Sequence, residues 1–133
     1  MTMKRTAVNP WPWSLETGFS QAELIEGKTR ELVCSGQTSV NEKGEPQHAG
    51  DMAAQINLSL DNLEVVLAGA GMTLANVVKF NYYTTDMQAF FGAIHVLGER
   101  LGAAGVMPAA TLLGVTSLAF PELMIELEAT AMD

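Results

Sequence analysis

Glu126 and Glu128 stand two residues apart in the run Leu123-Met-Ile-Glu-Leu-Glu-Ala-Thr130, whose alternation of apolar and polar residues predicts a strand. Residues i and i+2 of a strand share a face, so both carboxylates point away from the face of Ile125 and Leu127. Paired carboxylates can do general acid–base work when burial raises the pKa of one of them. Spacing alone favours the plainer reading, two solvated strand residues, and nothing in the periodicity separates the two. Cys34 is the single cysteine. A nucleophilic thiol there would need a nearby base or positive field, and only His48 and His95 could serve as imidazole partners. Free cysteine is among the most buried residue types, so a structural role is the ordinary expectation. His95, beside the apolar Ile94, and His48, in a polar stretch, read as surface or interface residues. Gly36 after Ser35 could bring backbone amides close to a ligand, a weak signal by itself. The chain has no Gly-x-Ser-x-Gly, no phosphate-binding glycine loop and no dinucleotide fingerprint, and Gly69-Ala-Gly71 closes a predicted helix instead of opening one.

The elements that must position these residues follow from periodicity. Residues 1–17 are expected to form an extended N-terminal segment. In it Pro10 and Pro12 exclude helix and central strand, and Trp11 and Trp13 act as packing anchors. Two strand-like runs, Ser20 to Ile25 and Glu31 to Ser35, flank the polar turn Glu26-Gly-Lys-Thr-Arg30 and predict a β-hairpin. The stretch from Thr38 to Gly50 reads as a loop with one short strand at Thr38 to Val40. From Asp51, apolar Met52, Ile56, Leu60, Leu63, Leu67 and Ala70 recur at helical steps, and Gly69 and Gly71 supply the stop. Val77 to Thr84 predicts a strand with Val78, Phe80 and Tyr82 on one face and Lys79 and Asn81 on the other. Thr85-Asp-Met-Gln88 matches a capping box ahead of a second helix, about Asp86 to Leu101, with an apolar stripe of Phe90, Ile94, Leu97 and Leu101. Final strands are predicted at Ala110 to Leu118 and Leu123 to Thr130. This order places two helices on one face of a mixed sheet. The other face then needs a cover, and oligomerisation is the simplest one for a short chain.

The 133 residues fit one domain, 1–133. With 15 acidic against 7 basic residues the formal net charge is −8, and the cations never cluster beyond Lys4-Arg5. Nucleic acid and anionic membrane surfaces are therefore poor partners. No apolar run approaches the length of a bilayer span and no apolar core follows Lys4-Arg5, which points to a cytoplasmic protein. One cysteine and two histidines leave no ordinary transition-metal set, so no metal site is expected.

Several segments together resemble the RidA family, also called YjgF. They are Gly18-Phe-Ser-Gln-Ala22, Ser35-Gly-Gln37, Asp51-Met-Ala-Ala-Gln55, Leu60-Asp-Asn-Leu63 with Ala70-Gly71, Val77-Val-Lys79, Thr85-Asp-Met87, Pro108-Ala109 and Ile125-Glu-Leu-Glu-Ala129. The resemblance implies a chorismate-mutase-like α+β fold and a homotrimer with a barrel-like core and small-molecule clefts between subunits. Active members hydrolyse reactive enamines and imines to a 2-keto acid and ammonia without a cofactor. The family arginine that grips the substrate carboxylate after Pro-Ala falls here at Ala110, following Ala109. The family tyrosine falls at Phe19, the cysteine two residues after the arginine at Leu112, and a frequent helix asparagine at Ile94. Glu126 matches the water-orienting glutamate, and the Ser35-Gly36 backbone is retained.

The expectation is therefore a trimer whose cleft is re-tuned to an unknown small ligand, with little or no 2-iminopropanoate deaminase activity. The alternative is a deaminase in which an arginine from elsewhere, Arg5, Arg30 or Arg100, replaces the missing grip. Ribonuclease or translation inhibition, attached to the family by older naming, is disfavoured by the acidic charge. A partner-binding trimer with no small-molecule role is a further possibility.

Overall fold

The structure is a computed structural model and describes residues 2–133. Its longest elements are those with the clearest sequence periods. Helix α2 (Met52–Ala68) starts at Asp51, whose side chain accepts from the Ala54 N–H and so satisfies one of the free donors of the first turn. It ends before Gly71, which takes the left-handed conformation (φ 72°) that the exit requires. Helix α3 (Met87–Ala103) is capped by Asp86, whose carboxylate accepts from the Ala89 N–H. The predicted cap at Thr85 is thus shifted by one residue, and the ionised side chain is the better partner for a helix N-terminus.

A four-stranded sheet is ordered β3 (Glu31–Val33), β6 (Ile125–Met132), β4 (Val77–Thr84), β5 (Ala109–Gly114). The β4–β5 pair is parallel and the other two are antiparallel, so the sheet is mixed. Alternation decides its two faces. Phe80 and Tyr82 from β4, and Ile125, Leu127, Ala129 and Ala131 from β6, meet Ile56, Leu60, Leu63 and Leu67 of α2 and Phe90, Ala93, Leu97 and Leu101 of α3 in one core. Each fully buried side chain of this size contributes about 1.5–3 kcal/mol. A bulge at the start of β4 brings Val77, and not the expected Val78, into this cluster. The opposite face carries Lys79, Asn81, Tyr83, Thr111, Glu126 and Glu128, and Val33 and Leu113 stand exposed there or at its rim. The expected α+β architecture, with both long helices on one face of a mixed sheet, is the observed one.

The N-terminal third departs from expectation. The hairpin does not form: β2 (Ala22–Glu26) pairs with β1 (Lys4–Val8), whereas β3 pairs with β6. The turn between β2 and β3 is tied to the chain end instead, with the Thr29 and Arg30 N–H groups donating to the Asp133 carbonyl and Arg30 ion-paired to the Asp133 carboxylate. Those contacts carry the chain from one sheet into the other. The two sheets meet where Ser20 bridges Ala109, its N–H donating to Pro108 O at 3.2 Å and its hydroxyl to Met107 O at 2.6 Å. The tryptophans are not anchors. Pro12 sits in helical geometry ahead of the short helix α1 (Trp13–Glu16), a place where its missing N–H costs nothing, and Trp11 and Trp13 stay 62% and 56% exposed. β5 ends at Gly114, four residues before the predicted limit, as the chain turns toward Phe120-Pro121.

Candidate active site

The Glu126 carboxylate is placed by two local features. Strand β6 buries Ile125 and Leu127 completely, which fixes Glu126 and Glu128 on the open face. Beyond β3, Gln37 exchanges both backbone hydrogen bonds with Leu127, at 2.7 and 2.9 Å, and this draws Gly36 against the Glu126 side chain. A Cβ on Gly36 would fall 2.6 Å from Glu126 Cδ and closer still to Oε2. Glycine is therefore needed here for room. Ser35 lies next to it and is exposed.

The two glutamates are not equivalent. Glu128 Oε1 accepts from Asn81 Nδ2 at 2.9 Å and from the Tyr83 hydroxyl at 3.0 Å. Tyr83 stands directly opposite Glu126 in the β4–β6 register, yet reaches diagonally to Glu128. Among the described residues no donor reaches the Glu126 carboxylate. Partial burial, and secondarily the Glu128 charge, push the Glu126 carboxyl above the usual glutamate range. The hydrogen bond to Glu128 raises the Tyr83 phenol. Such an arrangement offers a proton-carrying or water-orienting group at Glu126 beside a carboxylate already satisfied. Sequence reading placed Asn81 opposite Phe80 but assigned neither it nor Tyr83 a role. Their signal is alternation, which becomes useful only once β4 is known to pair with β6.

The remaining expected site residues lie elsewhere. Ala110 and Leu112 pair with Phe80 and Tyr82 and pack against the core on the helix side of the sheet. Ile94 lies one turn beyond Phe90, whose ring is 5.9 Å from that of Tyr82, and also packs against the core. Phe19 adjoins the start of β5 through the Ser20–Ala109 bridge, and the Trp13 ring meets it edge-on at 5.7 Å. Ala109 itself is opposite Lys79 on the open face. One chain thus brings Ser35, Gly36 and Glu126 together, and gathers Phe19, Ala109, Ala110, Leu112 and Ile94 along β5 and its helix side, without joining the two groups. Surface hollows of one chain lie at Thr2–Arg5 with Glu26 and at the Thr73–Ala75 end of the helices, away from Glu126.

The arginines are all committed. Arg5 donates to Glu23 and to the carbonyls of Ala75 and Val77, Arg30 to Asp133 and Ala70 O, and Arg100 to Asp61 and Asn57 O while also ion-paired to Glu64. Lys79 Nζ donates to Thr111 Oγ1 at 2.8 Å. Cys34 is 5% exposed within the core, where burial pushes its thiol up, against the needs of a nucleophile. His48 and His95 are both exposed. Among the described residues no group of three or more His, Cys, Asp or Glu could hold a metal ion, and no helix is long and apolar enough to cross a membrane.

A family model described as Endoribonuclease L-PSP matches residues 14–133. YjgH of Escherichia coli K12, a RutC family protein, is 34% identical over 88 residues, 66% of each chain. The 2-iminobutanoate/2-iminopropanoate deaminase of the same organism is 36% identical over 59 residues, 44% of this chain and 45% of its own. The crystal structure of YyfB from Yersinia pestis, a Rid family protein of unknown function, has a TM-score of 0.83 at 36% identity over 96% of this chain and 98% of its own. A match that runs from α1 to the end of β6, together with a shared fold of this closeness, makes the chain a member of the RidA/YjgF family.

Proposed function

We propose that the chain acts as a homotrimer whose intersubunit clefts take a small neutral or apolar ligand, and that it does not deaminate 2-iminopropanoate. What supports this reading is the resemblance, which puts Ala110 where the family has its carboxylate-gripping arginine, together with the observation that Arg5, Arg30 and Arg100 all make contacts within the chain. A guanidinium matches a carboxylate with two parallel donors, and no other side chain reproduces that. Its loss removes about 1.5–3 kcal/mol per charge-assisted hydrogen bond, roughly ten- to a hundredfold or more in affinity for an anionic ligand. Phe19, Leu112 and Ile94 shift the same wall toward apolar chemistry.

The trimer explains why the two groups of site residues lie on different faces of one chain: a cleft uniting Glu126 with the β5 side draws on two copies. It also covers the open sheet face. RNA cleavage is not part of this reading, because the open face carries Glu126 and Glu128 and the chain has a net charge of −8. Calorimetric titration of the assembled protein with pyruvate and 2-ketobutyrate, against neutral aromatics such as benzamide, is the test. Tighter binding of the neutral compounds supports the proposal, and preferential binding of the keto acids overturns it.

A further inference from the structure

The unequal treatment of two neighbouring glutamates extends the proposed function and rests on Glu126 lying in the ligand cleft. Asn81 and Tyr83 spend their donors on Glu128, and Tyr83 does so although Glu126 is the residue facing it across the strands. Gly36 leaves room for the Glu126 carboxyl and supplies no side-chain partner. We propose that Glu128, clamped by Asn81 and Tyr83, is a positioning residue that stands as a fixed like charge beside the unpartnered Glu126, so that Glu126 can meet its ligand as a hydrogen-bond donor to a neutral carbonyl group.

The surrounding charges agree with this assignment. From β4, Lys79 faces the same side but turns its ammonium to Thr111, and Tyr83 is the other titratable group. From β5 come Ala109, Thr111 and Leu113, none of which titrates near neutrality. From β3, Glu31 sits at the far end opposite Met132 and is paired with Lys28. The segment holding Gly36 contributes Cys34, which is buried in the core. Among the described residues of one chain no cation is therefore aimed at Glu126, while one carboxylate is held beside it. Burial already raises the Glu126 carboxyl, and a ligand or second copy that excludes more water acts in the same direction. A cleft without a guanidinium, with the Glu128 carboxylate held behind a carboxyl that can donate, offers an anionic ligand no counter-charge, which suits an amide, ketone or ester oxygen and disfavours a carboxylate.

The test follows the side-chain carboxyl carbon of Glu126 by NMR through a pH titration of the trimer, in the wild type and in Glu128→Gln. The expected wild-type inflection lies above the usual glutamate range and moves down in Glu128→Gln, with Glu128→Asp retaining most of the elevation. An inflection unchanged by Glu128→Gln, or an ordinary one in the wild type, overturns the proposal. Should Glu128→Gln not fold, Asn81→Ala/Tyr83→Phe releases the same carboxylate, and the Glu126 inflection must then also fall. This readout needs no ligand. A normal Glu126 together with tight benzamide binding sinks the positioning role alone, whereas an elevated Glu126 together with a preference for keto acids sinks the proposed function alone.

Discussion

Around Gly36, strand β6 presents two carboxylates, one of them held by an amide and a phenol from β4, whereas along β5 and its helix side Phe19, Ala109, Ala110, Leu112 and Ile94 offer no polar side-chain atom. Both regions belong to the same sheet and sit only one or two strands apart. They differ in what fixes them. The polar region is held by pairing: Gln37 to Leu127, and Asn81 and Tyr83 to Glu128. In the apolar region Ala110, Leu112 and Ile94 are held by packing against the core that contains Phe80, Tyr82 and Phe90. A site held by packing tolerates exchanges among apolar residues that keep volume and pattern. A site held by hydrogen bonds loses stability when one partner is removed, because the other is left unsatisfied.

Putting charge back into the apolar region should have the largest effect. In Ala110→Arg, affinity for 2-ketobutyrate measured by calorimetry should rise about ten- to a hundredfold, the equivalent of one recovered charge-assisted contact. An unchanged affinity would mean that the two regions do not share a cleft. Filling the polar region comes next. Gly36→Ala places a methyl where the Glu126 side chain lies, so Glu126 must rotate away, and unfolding in urea should show a loss of about 1 kcal/mol together with an altered Glu126 titration. Full retention of both would show that the close approach has no consequence.

The smallest effect is the one with a sign set by pH. The Glu126 carboxyl is raised in the folded protein, so the folded state binds its proton more tightly than the unfolded state does. The resulting destabilisation is absent below the unfolded value, grows as pH rises toward the folded value, and is complete above it. Thermal unfolding of Glu126→Gln should therefore occur slightly above wild type at pH 7, with the difference vanishing below about pH 4. A Gln variant that is less stable at pH 7 would assign Glu126 a stabilising partner, contrary to the unpaired carboxylate described above.

Long periodic segments were legible from residues alone: α2 and α3 appear within a residue or two of their predicted starts, and β6, with β4 beyond its bulge, carries the predicted faces. Their burial repeats many times, so each residue reinforces the next. The N-terminal third was not legible, because β2 and β3 look like a hairpin locally and are separated by contacts to Asp133, more than a hundred residues away in sequence. Trp11 and Trp13 misled for a related reason, since an aromatic residue signals burial only when something lies above it. Of the site, Glu126 with Gly36 was visible as residue types and spacing. The clamp on Glu128 was not, since it depends on which strand lies beside β6. The arginines could be counted in the sequence, but their partners within the chain, Glu23, Asp133 and Asp61, are seen only in the structure.

We propose that this member of the family keeps the scaffold and lacks the grip on an anionic imine. Semicarbazide trapping during generation of 2-iminopropanoate measures that directly, because the trapped fraction falls whenever the imine is hydrolysed faster than it is captured. The account predicts the same trapped fraction with the wild-type protein as with buffer, and a lower one with Ala110→Arg. Accelerated hydrolysis by the wild type, abolished in Glu126→Gln, would contradict it.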